Sequence, residues 1–239
     1  MKLIFKTALA LFTGMAFIIS SCKMSCTKGS GHVVSENRKV VDFTKLDISG
    51  SYNVELVQDS SLNVSISADD NLLKQISTEV SGDKLNIKTE NNICPSGQIV
   101  VTIGVRNLDE IDQSGAINLT TKGKLVTKNL GMNLAGSGNL TMNLDAANLN
   151  TTASGTVELN LKGQATSHSM NLSGEGKIHA FDFVVGNYDL ETSGAGDFEI
   201  NVLHELTVNS SGATEVKYKG NPTTINNKKS GVSTITKVN

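Results

Sequence analysis

Two sequences, SGEGKI at residues 173–178 and SGAGDF at residues 193–198, are copies of one motif. Related Ser-Gly or Ala-Gly pairs recur throughout residues 108–239, and their glycines are Gly115, Gly136, Gly155, Gly174, Gly194, Gly212 and Gly231. Successive glycines are separated by 21, 19, 19, 20, 18 and 19 residues. A nearly constant period of this length is typical of a solenoid, in which each repeat forms one coil.

Apolar and polar residues alternate on both sides of each glycine. The fourth residue after every glycine is apolar, and these residues are Leu119, Leu140, Leu159, Ile178, Phe198, Val216 and Ile235. The residues between them, such as Glu158 and Lys217, are polar. Alternation with a period of two indicates a strand with one buried face. Each repeat is therefore predicted to be a strand, a Ser-Gly corner, a second strand and a short connector.

Two architectures could use this repeat. In an antiparallel meander the chain would reverse at each corner, whereas in a β-solenoid it would bend and continue, so that equivalent positions stack. The constant register of inward residues favours the solenoid, because neighbouring coils then form one continuous apolar stack. We predict an all-β, single-stranded β-helix-like solenoid of about seven coils over residues 108–239. Tyr188 and Tyr218 fall on inward positions and are expected in its core.

Residues 40–107 are predicted to form an N-terminal strand and hairpin cap. The spacing from Phe43 to Ser49-Gly50 matches that of the first repeat, and Val54 lies four residues after Gly50. An insert follows, with a helical turn expected after a cap at Asp69, Asp70 or Asn71 and a hairpin at Gly82-Asp83. We expect this insert to cover the first coil and close its apolar end.

The N-terminus has the pattern of a lipoprotein signal peptide over residues 1–21. Lys2 and Lys6 precede an apolar run that ends in Ile-Ser-Ser-Cys22, which resembles a bacterial lipobox. This resemblance implies cleavage before Cys22 and lipid attachment to its sulfur; the alternative is an ordinary signal peptide with an incidental cysteine. Residues 22–39 are polar and are predicted to be the lipidated cysteine and a flexible tether.

The two remaining cysteines are Cys26 and Cys94. Because thiols outside the cytoplasm tend to oxidise, they could form a disulfide that closes a loop of 68 residues. The alternative is two unpaired thiols.

Composition narrows the classes of function. The formal net charge is −2, which gives no electrostatic attraction to nucleic acid, and we expect no nucleic-acid partner. The four histidines occupy unrelated positions of the repeat, and the single Gly-Ala-Gly-Asp at residues 194–197 lacks the consecutive copies of a calcium roll. We therefore predict no metal site, no cofactor and no catalytic residues.

One polar cluster does emerge from the register. Asp197 and Glu199 lie on one predicted strand and Glu215 on the next, with Lys177 and His179 one coil before them. Clustered acids could serve a polysaccharide-active β-helix enzyme. The alternative is a solvated face of mixed charge, in which opposite charges on neighbouring coils attract each other.

The Ala-Gly-x-Gly corner at residues 135–140 and the Ser-Gly-x-Gly corners at residues 173–178 and 193–198, together with Phe43 to Leu56, resemble the bacterial family called putative auto-transporter adhesin, head GIN domain. The resemblance covers residues 40–239. It implies a β-solenoid lipoprotein of the envelope of Bacteroidetes-type bacteria, and it carries over no catalytic residue.

The leading hypothesis is a lipid-anchored cell-envelope protein, expected at the outer membrane on either its periplasmic or its surface side, with a non-catalytic adhesive surface. Its partners would be the membrane through the lipid, an envelope or extracellular polymer or protein, or a second copy of itself. The alternatives are the polysaccharide-active enzyme and a periplasmic sensor or accessory subunit.

Overall fold

A computed structural model describes residues 25–239, so the predicted signal peptide and Cys22 lie outside the described residues. The described chain is almost entirely β, with one 3-10 turn at Leu73–Gln75. Its parallel coils stack into a β-solenoid of about six turns with an N-terminal strand region, which confirms the predicted fold class. No helix among residues 25–239 is long and apolar enough to cross a membrane.

Eight strands precede the repeats. They are β1 (Thr27–Lys28), β2 (Val33–Lys39), β3 (Lys45–Gln58), β4 (Asn63–Asp69), β5 (Ile76–Ser81), β6 (Lys84–Thr89), β7 (Ile93–Cys94) and β8 (Val100–Val105). Eight more strands form the repeats. They are β9 (Glu110–Lys122), β10 (Leu125–Ala153), β11 (Thr156–Leu172), β12 (Glu175–Thr192), β13 (Ala195–Ser210), β14 (Ala213–Lys219), β15 (Thr224–Lys229) and β16 (Val232–Lys237).

Neighbouring coils pair in parallel with equivalent residues opposite each other. Gly115 of β9 is the partner of Gly136 in β10, and Leu119 is the partner of Leu140. The segment from Phe43 to Gly50, whose spacing matches that of the first repeat, obeys the same register, because Gly50 of β3 is the partner of Gly115. About six turns lie between the first and the last of the seven predicted corners, and Gly50 supplies one further corner at the N-terminal end.

The inward positions form continuous columns. Six of the seven residues predicted to point inward four positions after each glycine are buried, and Ile235 in the last coil is half-buried. Tyr188 is also buried, as predicted, and Tyr218 packs partly buried against the core. Burial of these apolar columns stabilises the stack at roughly 25 cal/mol per Å² of apolar surface removed from water.

The corners need glycine because successive backbones touch there. A Cβ atom at Gly174 would lie well inside van der Waals contact of the carbonyl oxygen of Gly155, and each corner glycine meets the previous one in this way. The close approach also satisfies hydrogen bonds, since the amide of Glu175 donates to the Gly155 carbonyl at 2.9 Å.

The insert closes the N-terminal end of the stack, as predicted. β6 and β8 pair in parallel with the first and second halves of β3, with Leu46 opposite Leu85 and Val54 opposite Val101. β5 and β6 form the predicted hairpin around Gly82-Asp83. The amine of Lys84 then bonds Asp112 at 2.5 Å and Glu110 at 3.0 Å, which ties the hairpin to the first repeat.

Two expectations about this region are wrong. Residues 33–39, expected within the flexible tether, form β2, which pairs antiparallel with β4. This strand is fixed because the Arg38 guanidinium donates to the carbonyls of Ile76 and Leu73 at 2.5 and 2.8 Å. The predicted Asp or Asn cap is also absent: Leu72 stands at the N-cap of the 3-10 turn, and no side chain caps it.

One polar side chain lies in the middle of the apolar core. His168 is 1% exposed and packs edge-on against Tyr188, with ring centroids 4.7 Å apart. Its Nε2 is 3.1 Å from the Thr151 hydroxyl, while its Nδ1 has no hydrogen-bond partner in the described part of the chain. Burial lowers the pKa of His168 from 6.5 to about 3, so the imidazole is neutral in the folded protein.

Candidate binding groove

The strand segments that follow the corners present three outward columns of side chains, one residue per coil. The column nearest the corners consists mainly of small residues and begins Ser51, Ala116, Ser137 and Thr156. The second column is Asn53, Asn118, Asn139, Glu158, Lys177, Asp197 and Glu215. The third column lies two residues further along each strand and includes His179, Glu199 and Lys217. Neighbouring coils repeat at about 4.8 Å, so this face offers equivalent polar groups at regular intervals.

The second column starts as an amide ladder. The Asn118 amide nitrogen donates to the Asn53 side-chain oxygen at 2.9 Å, and the Asn53 amide nitrogen donates to the Gln98 side-chain oxygen at 2.5 Å. The ladder is thereby joined to the loop after β7. Because these groups bond to one another, their positions are set before any ligand arrives.

A groove with a volume of about 530 Å³ runs between this face and the loop. Its floor is formed by the small column and the amide ladder of the first coils, and Pro95, Gly97 and Gln98 form the wall. Glu158, Glu175 and Lys177 line its far end. The floor is therefore mostly hydroxyl, amide and small apolar groups, and its charges are confined to one end.

The wall of the groove is held by the N-terminal segment. A disulfide joins Cys94 to Cys26, with 5.7 Å between their Cα atoms. Beside it, β1 and β7 pair in parallel, and the amides of Thr27 and Gly29 donate to the carbonyls of Asn92 and Cys94, both at 2.9 Å. We call residues 25–32 and 91–97 the N-terminal clamp.

A buried carboxylate completes the clamp. Asp69 is 1% exposed and accepts hydrogen bonds from the Ser96 hydroxyl at 2.6 Å, the Ser96 amide at 2.9 Å and the Gly31 amide at 2.8 Å. The Ser96 hydroxyl and amide lower the pKa of Asp69, and the Gly31 amide adds to the effect. This carboxylate, one of the three residues predicted as a possible helix cap, instead connects the N-terminal segment to the groove wall.

The predicted acidic cluster lies on the same face, further along the stack. Asp197 is opposite Glu215, and Lys177 and His179 are opposite Asp197 and Glu199 in the preceding coil. These residues and Lys217 line a cavity of about 290 Å³.

Two of the three carboxylates in the cluster are close to basic groups. The Glu199 carboxylate is 2.8 Å from His179 Nδ1, and the Glu215 carboxylate is 3.2 Å from the Lys217 amine. The five polar side chains around Asp197 all belong to outward columns; they are Lys177, His179, Glu199, Glu215 and Lys217. The cluster therefore has the composition of a surface of mixed charge.

Within residues 25–239, no group of three or more histidine, cysteine or acidic side chains could hold a metal ion. His179 and His204 are exposed on the surface, and His168 is the neutral core residue described above. Cys22, the predicted lipidation site, lies outside the described residues.

The sequence placed the outward columns but missed the groove. The columns follow from counting residues after each glycine, because the register is constant over the strand segment that follows each corner; the shifts, at residues 160–162 and 180–187, come after it. The wall belongs to the insert, whose sequence has no periodicity. The position of the wall depends on the contacts of Asp69 and on the disulfide. The signals available were Cys94 and Pro95, and neither indicates which face the loop covers.

The chain is similar to several solved structures. A putative adhesin from Bacteroides fragilis is 25% identical, with a TM-score of 0.82 over 88% of this chain and 99% of that one. A putative lipid binding protein from Parabacteroides distasonis is 22% identical, with a TM-score of 0.73 over 90% of this chain and 100% of that one. A putative adhesin from Parabacteroides merdae is 19% identical, with a TM-score of 0.63 over 89% and 99%.

Among curated proteins, none matches this chain. The family model described as "Putative auto-transporter adhesin, head GIN domain" matches residues 42–222, which is most of the sequence. The match includes the first repeat, the insert and all but the last corner of the solenoid. The chain therefore belongs to the head GIN domain family.

Proposed function

We propose that this protein is a lipid-anchored, non-catalytic envelope adhesin whose groove binds one strand of an extended, hydroxyl-rich polymer such as a polysaccharide. The groove carries the proposal, because it is long, open and lined by amide and hydroxyl groups repeated once per coil. A sugar unit in an extended chain is about as long as the spacing between coils. Successive sugars could therefore meet equivalent groups on successive coils.

The lipid anchor is proposed on Cys22 and the lipobox-like sequence before it. Membership of an adhesin family supports a place in the cell envelope, with the solenoid displayed on a membrane. The low net charge of −2 and the few charges on the groove floor favour a neutral polymer over a highly charged one.

The test is a change that fills the groove. Ser137 lies in the small column of the floor, and Ser137→Arg would place a long side chain across the path of the polymer. Asn150→Arg is the matched control, since it adds the same side chain at an exposed position before the corner, away from the groove. We expect the unchanged protein and N150R to bind polymers on an array of purified neutral polysaccharides, and S137R to lose that binding by at least tenfold.

Equal binding by S137R and N150R would contradict the groove as the binding site. Absence of binding by the unchanged protein to every polysaccharide on the array would contradict the ligand class.

An alternative, the polysaccharide-active enzyme, draws on the cavity beside Asp197, Glu199 and Glu215. The same array distinguishes the two functions, because an adhesin releases no soluble fragments from the polymer that it binds. Release of fragments that stops when the three acids are changed to amides would establish the enzyme instead.

A further inference from the structure

We propose that the N-terminal clamp is a membrane-contacting surface, which lies against the phospholipid headgroups and holds the mouth of the groove close to the bilayer. This inference rests on the lipid anchor at Cys22 proposed above. It goes further, because an anchor alone leaves the distance and the orientation of the folded chain undefined.

The first argument is the length of the chain between the anchor and the fold. Only Lys23, Met24 and Ser25 separate Cys22 from Cys26. Four residue steps span at most roughly 14 Å when fully extended. The lipidated cysteine is at the headgroup level, so Cys26 cannot lie much further than this from the membrane surface.

The second argument is that Cys26 is part of the fold. The disulfide to Cys94, the pairing of β1 with β7 and the bonds of Asp69 to Gly31 and Ser96 fix it to the groove wall. The Asn71 side chain adds two bonds, donating to the Lys28 carbonyl at 2.8 Å and accepting from the Ser30 amide at 2.9 Å. The polar segment that could have served as a long tether is therefore unable to extend.

The third argument is charge. Residues 25–29 and 91–97 contain one lysine, Lys28, and no aspartate or glutamate. Thr27, Lys28, Asn91, Asn92 and Cys94 are all exposed. These two segments are thus polar and carry one positive charge, which suits contact with phospholipid headgroups, while Asp69 and Asp70, which bond to residues 30–32, lie outside them.

The geometry then orders the molecule by distance from the membrane. The loop at Pro95–Gln98 follows Cys94 directly, so the groove wall starts at the membrane end. The corners from Gly50 to Gly231 span seven spacings of about 4.8 Å, which places the last coil roughly 34 Å further along the stack. A polymer in the groove would be held near the bilayer and not at the tip of the solenoid.

The chain has no tryptophan, so single tryptophan reporters can measure this arrangement. Asn92→Trp reports on the clamp, and Val232→Trp reports on the last coil, where Val232 is 80% exposed. The lipidated, full-length variants are inserted into phosphatidylcholine vesicles that contain dansyl-labelled phosphatidylethanolamine. Energy transfer from tryptophan to the dansyl headgroups is then compared between the two reporters.

We expect several-fold more efficient transfer from Trp at position 92 than from Trp at position 232. We also expect a long Gly-Ser segment inserted between Met24 and Ser25 to lower transfer from the clamp reporter, because it removes the limit on distance. Equal transfer from the two reporters, or transfer at position 92 that the insertion leaves unchanged, would overturn the inference.

Failure of the anchor itself is separately visible. Mass spectrometry of the membrane-purified protein detects the lipid on Cys22, and Cys22→Ser should prevent both lipidation and vesicle binding. A chain without lipid on Cys22 would contradict the proposed anchor, whereas a lipidated chain with a distant clamp would contradict only this inference.

Discussion

At the scale of single residues, the corners require glycine because the backbones of neighbouring coils touch there, and the backbone angles matter less. Gly115 and Gly136 have positive φ angles of 100° and 97°, which favour glycine. Gly174 does not have a positive φ, yet a Cβ there would meet the backbone of Gly155. The Ser-Gly pair that revealed the fold is thus repeated because the coils pack closely, backbone against backbone, at every corner.

Gly174→Ala should therefore destabilise the protein. The two backbones must move apart to admit the methyl group, and overpacking of this kind costs about 1–3 kcal/mol. Gly97→Ala is the matched control, since a Cβ at Gly97 would meet nothing within 4 Å. Denaturant unfolding of both variants checks this, and a G174A protein as stable as G97A would disprove the role of contact.

His168 should make stability depend on pH. The unfolded chain takes up a proton on this histidine below pH 6.5, but the folded chain does not until the pH nears 3. The stability contributed by neutral His168 is therefore complete above pH 6.5 and is lost as the pH falls toward 3. At pH 5 the loss is about 2 kcal/mol, from 1.5 pH units at about 1.36 kcal/mol each.

The double variant T151V/H168L removes the histidine together with the hydroxyl that would lose its partner. Its free energy of unfolding should fall less between pH 7 and pH 5 than that of the unchanged protein, by about 2 kcal/mol. The carboxylates are common to both proteins, so their titration cancels in the comparison. An identical pH dependence would mean that folding leaves the pKa of His168 unchanged.

At the scale of elements, the short strands β1 and β7 depend on their surroundings. Two residues on each side cannot form a stable pair alone, and the disulfide and the Asp69 carboxylate hold them together. This also explains why the sequence predicted a flexible tether here: the segment is polar, and its partners are more than 35 residues away. Local composition carries no information about such contacts.

Changing both Cys26 and Cys94 to serine should release the clamp. In the chain-entropy model, a crosslink across 68 residues stabilises by roughly 4 kcal/mol, which is an upper value because local opening of β1 relieves part of the loss. We expect a lower melting temperature and rapid trypsin cleavage after Lys28, while the solenoid stays resistant. Cleavage at Lys28 as slow as in the unchanged protein would show that the remaining hydrogen bonds suffice.

At the scale of the whole molecule, what could be predicted depended on periodicity. The spacing of the seven corners was enough to predict the solenoid, the inward columns and the neighbours of Asp197, because parallel coils keep one register over the strand segment that follows each corner. The groove could not be obtained in this way. Its wall comes from residues 95–98, which occur once in the chain and are positioned by contacts with Asp69, Asn53 and Cys26.

The disulfide between Cys26 and Cys94 also determines how the molecule would carry mechanical force. A bound polymer under tension would pull on the groove wall beside Cys94, and the anchor would pull back through Cys26. The load on the wall would then pass to the anchor through a covalent bond, while the load on the floor would also cross the hydrogen bonds between the coils that line the groove. The coils from Ala195 onward would lie outside the path of the force, because the groove is lined only as far as Lys177.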